Sequence, residues 1–160
     1  MYYAVYGEFV GTCIYFVPIF AAGANGKKND WDPSFTGLVI GLISGLNLTS
    51  TIMCFSNISG ANFNPAISFS LWLTGRLSNR KFVAYFIAQL LASVVSMVVI
   101  FLSFPSPDQS MYEGCTVTPK TDADPGRIFF TEFMCTFILT YVAFTMAFEE
   151  AESLKKVFSL

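Results

Sequence analysis

Hydrophobic residues are concentrated in four long runs that are separated by shorter polar segments. The runs cover roughly residues 4–24, 34–56, 82–104 and 128–148. Each is close to the ~20 residues that an α-helix needs to cross a hydrocarbon core of about 30 Å. The pattern therefore predicts four transmembrane helices in a single membrane domain that extends over residues 1–160.

The composition agrees with this prediction. Hydrophobic residues make up 54% of the chain and charged residues 12%, whereas soluble domains carry about 25% charged residues. The first run contains Glu8 and Pro18 and lacks a basic segment before it, so we interpret it as a membrane helix and not as a signal peptide. With nine basic and eleven acidic residues, the chain offers no polybasic surface for nucleic acid.

The positions of the charges predict the orientation in the membrane. Arg76, Arg80 and Lys81 lie between the second and third runs without an acidic neighbour, and such basic loops face the cytoplasm. The loop at 105–126 then faces outwards. This orientation places both termini in the cytoplasm.

No catalytic function is expected from these residues. The chain has no histidine, which is the commonest general base, and no nucleophile–base pair, metal-binding cluster or phosphate-binding glycine loop is recognisable. Neither an enzyme, a cofactor nor a metal is therefore predicted. Three of the four cysteines lie in apolar runs, and we expect all four to be free thiols. They are Cys13, Cys54, Cys115 and Cys135.

The segment at 57–75 is too apolar for a solvated loop, and we expect it to dip into the membrane. Backbone that is not helical is tolerated at that depth only where protein buries it or where it lines an aqueous cavity. Gly60 permits a sharp turn, Asn64 is a good N-cap and Pro65 suits the first helical position. A half-helix is predicted at about 65–74. The alternative is a cytoplasmic turn followed by an interfacial helix.

A short repeat links the first and fourth runs. The pattern E-F-x-x-T begins at Glu8 and again at Glu132, an offset of 124 residues (132 − 8). Three crossings separate the copies, so the second starts on the opposite side of the membrane, as in inverted-repeat transport proteins. A carboxylate within a span needs a buried partner, and matching positions predict matching partners. Coincidence between two similar apolar helices is the alternative.

The stretch SGANFNPAIS resembles the first signature of the aquaporin (major intrinsic protein) family, which usually reads SGAHxNPAVT. The resemblance extends over the whole chain. It implies an inverted-repeat bundle of six tilted helices and two half-helices, assembled as homotetramers with one pore per subunit. It also implies that Asn64, Pro65 and Ala66 form the first Asn-Pro-Ala motif, and that Glu8 and Glu132 hold the re-entrant loops through backbone N–H groups.

Two positions depart from the family pattern. Asn62 stands where the family usually has histidine, so gating through an imidazole is excluded for this chain. Ser44 falls at the helix-two position of the family's outer constriction, where water-selective members usually have an aromatic residue or histidine. A small hydroxyl there predicts a wider or more polar filter, although Ser44 also fits a plain helix-packing role.

The second repeat is incomplete, because the sequence has no second Asn-Pro-Ala and stops soon after the fourth run. We expect a fragment of a full-length channel in preference to a natural truncated form. The resemblance implies a passive channel for water and small neutral solutes such as glycerol, urea or ammonia, in a plasma or vacuolar membrane. The alternative is a non-conducting scaffold or regulatory subunit that associates with full-length channels through a glycine seam. That seam consists of Gly37, Gly41 and Gly45.

Overall fold

The computed structural model describes residues 1–104, 108–116 and 123–158, with side chains up to residue 148, and within these ranges it contains helices and no strand. Four helices are long and apolar enough to cross a membrane, which confirms the predicted all-α membrane fold. The helices are α1 (Tyr2–Lys28), α2 (Pro33–Phe55), α3 (Pro65–Leu73), α4 (Asn79–Ser103), α5 (Gln109–Cys115) and α6 (Pro125–Phe158).

Two helix starts follow directly from capping chemistry. The carboxylate of Asp32 accepts hydrogen bonds from the backbone N–H groups of Ser34 and Phe35, and Pro33 occupies the first position of α2. Ser78 caps α4 by accepting from the backbone N–H of Lys81. A side-chain oxygen in this position satisfies N–H groups that have no partner inside the helix. The polar turns therefore end and restart the membrane helices at defined residues.

α1 and α2 are antiparallel neighbours. A Cβ on Gly7, near the start of α1, would lie 3.0 Å from Ile58 and 3.6 Å from Phe55, at the end of α2. At the other end of α1, a Cβ on Gly26 would lie 2.7 Å from Thr36. The small residues at these two positions allow the helices to approach closely.

Pro18 interrupts the hydrogen bonds of α1, and α2 compensates. Proline lacks the N–H that would reach the carbonyl four residues earlier, which is that of Ile14. The amide of Asn47 on α2 donates to the Ile14 oxygen at 3.0 Å and to the Tyr15 oxygen at 2.9 Å. Asn47 therefore bonds across helices, as polar side chains of membrane helices commonly do.

α1 and α4 run parallel to one another. The Gln89 amide of α4 donates to the Glu8 carboxylate of α1 at 2.8 Å. Near their ends, the Lys28 amine lies 5.7 Å from the centroid of the Phe104 ring. α2 runs antiparallel to α1, and α4 runs back in the direction of α1.

α5 packs against the end of α1 and is an element that the sequence did not predict. A Cβ on Gly23 would overlap the carbonyl oxygen of Gly114, so both glycines are needed for this approach. Met111 is buried with Ala24 and Ile100. α1 extends to Lys28, four residues beyond the end of the apolar run near 24, and small residues of this last part pack against α5.

Residues Pro119–Leu160 form a second compact unit, which contains α6. Its apolar portion, Pro125–Phe148, has the length of a membrane span. One face of α6 carries aromatic rings at four-residue spacing, with successive centroids 6.2–6.4 Å apart. They are Phe129, Phe133, Phe137 and Tyr141. The four cysteines are free thiols, as predicted.

Candidate functional site

The chain between α2 and α3 turns through an unusual backbone conformation. Gly60, Ala61 and Phe63 all have positive φ values, of 95°, 53° and 49°. A side chain in this region of φ costs of order 1–3 kcal/mol and persists where the surroundings fix it. Ala61 and Phe63 are nevertheless buried. The loop is therefore shaped by contacts with the helices around it.

The carboxylate of Glu8 supplies the central contact. It is completely buried on α1. One oxygen accepts from the backbone N–H of Asn62 at 3.0 Å, and the other accepts from the backbone N–H of Phe63 at 2.8 Å. Gln89 on α4 donates to the second oxygen as well, at 2.8 Å. Three N–H donors thus compensate a charge that would otherwise be costly inside a membrane.

A second layer of hydrogen bonds ties α3 to the same cluster. The hydroxyl of Ser68, which is buried on α3, accepts from Gln89 at 2.9 Å and from the Asn62 amide at 3.3 Å. Tyr85 on α4 donates its hydroxyl to the carbonyl of Ser59 at 2.8 Å. The loop is therefore held from α1, α3 and α4 together. We call Glu8, Asn62, Ser68 and Gln89 the carboxylate cluster.

Phe63 anchors the loop by packing. Its ring is 1% exposed and lies edge-on to Phe55, with centroids 5.9 Å apart. A Cβ on Gly11 would overlap the Phe63 ring. Glu8 and Gly11 are three residues apart, so they share one face of α1. On that face, Glu8 accepts the hydrogen bonds of the loop N–H groups, and Gly11 leaves space for the ring of Phe63.

Asn64 and Pro65 start α3 in the predicted way. Asn64 has an extended backbone conformation, and its side-chain oxygen accepts from the backbone N–H of Ala66 at 2.8 Å. Pro65 occupies the first helical position. The cap uses the oxygen of the Asn64 amide. The two N–H donors of this amide are therefore free to bind another group. Asn64, Pro65 and Ala66 are all half-buried.

The start of α3 lies deep in the bundle. Gln89, which bonds Ser68, is ten residues after the first residue of α4 (89 − 79), or about 15 Å along the helix. That is about half of the ~30 Å hydrocarbon thickness. α3 then returns towards the start of α4, where the rings of Trp72 and Phe82 stack with centroids 5.0 Å apart. α3 is thus a nine-residue helix at the position of the predicted re-entrant half-helix, and its depth in the membrane stays a prediction.

The remaining predicted site residues lie apart from the carboxylate cluster. Ser44 is half-buried on α2, with its hydroxyl in hydrogen-bonding reach of the Tyr15 side chain on α1. Three predicted packing glycines lie on the same helix, and a Cβ added to any of them would have no other atom within 4 Å. They are Gly37, Gly41 and Gly45. Glu132 lies on α6, and its role as a loop support stays a prediction.

Several contributors to the site were not predicted as site residues, among them Gln89, Ser68 and Gly11. Gln89 was expected either to line a pore or to bond across helices, and it bonds across helices. Ser68 and Gly11 carried no expectation. A glutamine within an apolar helix was the available signal, because amides in membrane spans usually find partners. Nothing in the sequence pairs Gly11 with Phe63, since the contact depends on the loop conformation.

These features define a class of protein: a multi-pass helical membrane protein with a short Asn-capped helix between its second and third long helices. The comparisons with known proteins agree. The family model described as "Major intrinsic protein" matches residues 1–159. Aquaporin-B of Dictyostelium discoideum is 34% identical over 153 residues, covering 94% of this chain and 51% of the relative. Aquaporin-4 of Mus musculus is 28% identical over 142 residues, covering 88% and 43%.

The chain therefore belongs to the major intrinsic protein family, the family of the aquaporins, which are membrane channels. A third relative, Aquaporin-2 of Botryotinia fuckeliana, is 30% identical over 159 residues, with 93% of this chain and 41% of the relative covered. The chain spans about half the length of the curated relatives that it matches.

Proposed function

We propose that this chain forms part of a passive channel through which water and small neutral solutes such as glycerol, urea or ammonia cross the membrane. The observation that carries the proposal is the position of α3, whose Ser68 bonds Gln89 about 15 Å along α4. We infer from this distance that the Asn64-capped N-terminus lies near the membrane midplane. The Glu8 carboxylate holds the loop that precedes α3 by accepting two backbone N–H hydrogen bonds of 2.8–3.0 Å. The function of the loop is to hold Asn64 at that depth.

The N-terminus of α3 provides selectivity against ions in this proposal. The aligned peptide dipoles place roughly half a positive elementary charge there. In a narrow pore this charge repels cations and protons, while neutral molecules pass. The Asn64 amide offers N–H donors to the oxygen of a passing water or solute. Pro65 and Ala66 complete the motif by starting the helix without a competing side-chain charge.

Ser44 is the residue of this chain that we assign to the outer constriction. Its hydroxyl is smaller than an aromatic ring or an imidazole, so the constriction is wider or more polar than in a strictly water-selective channel. The Asn-Pro-Ala partner, the remaining constriction residues and the loop held by Glu132 belong to the second repeat. The assembly is a homotetramer in a plasma or vacuolar membrane, with both termini in the cytoplasm. No catalytic step is involved.

The test replaces Asn64 by aspartate in the channel that contains this chain, reconstituted in liposomes. Asn64→Asp keeps the cap oxygen and adds a negative charge beside the half-helix N-terminus. We expect cation conductance to rise by about tenfold or more, as a barrier reduction of about 1.4 kcal/mol would give. Asn57→Asp is the matched control, because it adds the same charge in the exposed turn after α2.

Osmotic swelling of the same liposomes measures water permeability. The proposal predicts rapid swelling with the unmodified protein and with Asn57→Asp. If liposomes with Asn64→Asp still swell but show unchanged cation conductance, Asn64 does not line the pore. If liposomes with the unmodified protein neither swell nor conduct, the channel proposal is contradicted and the second candidate function is favoured.

The second candidate is a non-conducting scaffold or regulatory subunit that associates with full-length channels. The exposed glycines of α2 favour it, because the space around Gly37, Gly41 and Gly45 is open to another helix. A glycine spacing of four residues allows close helix approach. Co-purification with a longer relative, abolished by Gly41→Leu and retained by Ala84→Leu on α4, would support this function.

A further inference from the structure

The turn from α3 into α4 carries a concentrated positive charge. Between Asp32 and Asp108 the sequence has three charged residues, all basic and all within six positions. They are Arg76, Arg80 and Lys81. Arg80 and Lys81 are exposed in the first turn of α4. The segment 33–107 contains no carboxylate.

The first turn of α4 makes this charge less favourable still. A helix N-terminus carries a partial positive charge, which favours acidic and disfavours basic side chains in the first turn. The first turn of α4 contains no acidic residue. Two cations and the helix dipole thus add at one place. An external anion at this end of α4 would be attracted by all of them.

The depth of this charge matches the headgroup region of a bilayer. α4 has 25 residues and is therefore about 37 Å long, more than the ~30 Å hydrocarbon core. Its first turn projects past the acyl chains. Beside it lies an aromatic group in which Phe82 contacts Trp72 at 5.0 Å and Phe69 at 6.0 Å. Tryptophan, as at Trp72, is enriched at the membrane interface.

The aromatic group is also fixed in orientation. The indole N–H of Trp72 donates to the Asn79 side-chain oxygen at 2.8 Å, which ties the end of α3 to the first residue of α4. Phe69 is 44% exposed and faces the surroundings of the bundle. The basic side chains and the apolar rings thus lie together at one level. A phospholipid needs both, a cation for its phosphate and an apolar surface for its acyl chains.

We propose that Arg80 and Lys81, with the N-terminus of α4, bind the headgroup of an anionic phospholipid, whose acyl chains lie against Phe69 and Phe82. The site lies at the exposed α3–α4 turn, beyond the Asn64-capped start of α3. It would fix the depth of the α3–α4 turn, and with it the end of the half-helix.

Native mass spectrometry of the detergent-purified protein tests this site by titration with POPG and POPC, which share their acyl chains. We expect tighter binding of POPG by the unmodified protein. Each basic residue near an anionic surface contributes about fivefold in affinity, so Arg80→Gln/Lys81→Gln should weaken POPG binding by about thirtyfold. Arg80→Lys/Lys81→Arg, which keeps both charges, should retain most of the affinity for POPG.

The matched control is Lys27→Gln/Lys28→Gln, which removes two positive charges at the far end of α1. It should bind POPG as the unmodified protein does. Equal affinity of the unmodified protein for POPG and POPC would overturn the proposal, as would an equal loss in the control. Displacement of POPG by inorganic phosphate alone would assign the site to a free anion. The unmodified protein's lipid preference decides the question even where the glutamine variant fails to fold.

Discussion

Glu8 shows how a single residue can be essential to a membrane fold without touching a solute. Its two oxygens accept three hydrogen bonds, two of them from backbone N–H groups that no helix uses. An unpaired buried N–H costs about 1–3 kcal/mol. The same carboxylate thus stabilises the strained loop and is stabilised by it. Neither would persist in the membrane interior alone.

Glu8→Gln should destabilise the protein. The glutamine amide has one acceptor oxygen, and its NH₂ group would face a donor of the loop or of Gln89. We expect the free energy of unfolding to fall by about 1–3 kcal/mol for each donor left without a partner. Reversible unfolding in SDS measures it. Glu113→Gln, which removes the exposed ion pair with Lys27, should cost less than about 1 kcal/mol.

Gly11→Ala should destabilise by overlap with the Phe63 ring, by about 1–3 kcal/mol. Phe63→Val removes the overlapping atoms, so the double variant should be less destabilised than the two single changes added together. Gly41→Ala is the control, since it has open space around it and should be neutral or slightly stabilising in a helix. Strict additivity of Gly11→Ala and Phe63→Val would disprove the contact.

Among the elements, α1 depends on α2 at its proline. Asn47 gives the Ile14 carbonyl the donor that Pro18 removes. The position of Asn47 on α2 therefore fixes which turn of α1 it faces. Since α1 carries Glu8, the register between these two helices also sets the height of the loop that Glu8 binds.

A double-mutant cycle can measure this dependence. Asn47→Leu should cost about 0.6–1.7 kcal/mol of unfolding free energy, the range measured for hydrogen bonds between membrane helices. In a Pro18→Ala background the new N–H can bond to the Ile14 carbonyl, so Asn47→Leu should cost much less. An equal cost in both backgrounds would show that Asn47 acts through other contacts.

α5 is sensitive to acid at its N-cap. The Ser110 hydroxyl and the Met111 N–H donate to the Asp108 carboxylate at 2.6 Å and 3.2 Å and lower its pKa. Because the folded pKa lies below the unfolded one, the cap stabilises α5 fully above the ordinary carboxyl pKa of about 3.9. The stabilisation is lost as the pH falls through the lower, folded pKa.

Amide hydrogen exchange measures this loss. Once corrected for intrinsic rates, exchange at Met111 and Tyr112 should rise between about pH 5 and pH 2.5, on either side of the carboxyl pKa. Asp108→Asn should exchange faster at pH 5 and show little further change on acidification. Amides in the middle of α4 serve as the internal control, and a parallel rise there would indicate general unfolding instead of loss of the cap.

At the scale of the whole molecule, length and hydrophobicity were sufficient to predict the four membrane helices. The start of the half-helix could also be predicted, because Asn64 and Pro65 have strong local preferences for the N-cap and the first helical position. α1 extends four residues beyond the apolar run, because hydrophobicity falls where Gly26, Lys27 and Lys28 continue the helix.

The rest of the site depends on contacts between distant parts of the chain. Gln89 reaches Glu8 across 81 positions, and Phe63 meets Gly11 only in a loop with positive φ. α5 was missed because seven residues carry too little periodicity, and its stability comes from packing on α1. Local sequence patterns do not contain this information.

The orientation of the whole molecule can be tested with single cysteines in a background where the four natural cysteines are replaced by serine. From the proposed topology, Asn29→Cys in the α1–α2 turn should react with a membrane-impermeant maleimide on intact cells. Arg80→Cys should react only after the membrane is permeabilised. The reverse pattern would place both termini outside the cytoplasm.

The hydrogen bonds of Glu8 also constrain how the protein is made. A ribosome produces the chain from its N-terminus, so α1 is synthesised long before its partners: Asn62 follows Glu8 by 54 residues and Gln89 by 81. During that interval the carboxylate has none of its final donors. We therefore expect the nascent α1 to stay beside water, headgroups or the insertion machinery at first. α1 enters the bilayer completely once α4 has been made and supplies Gln89.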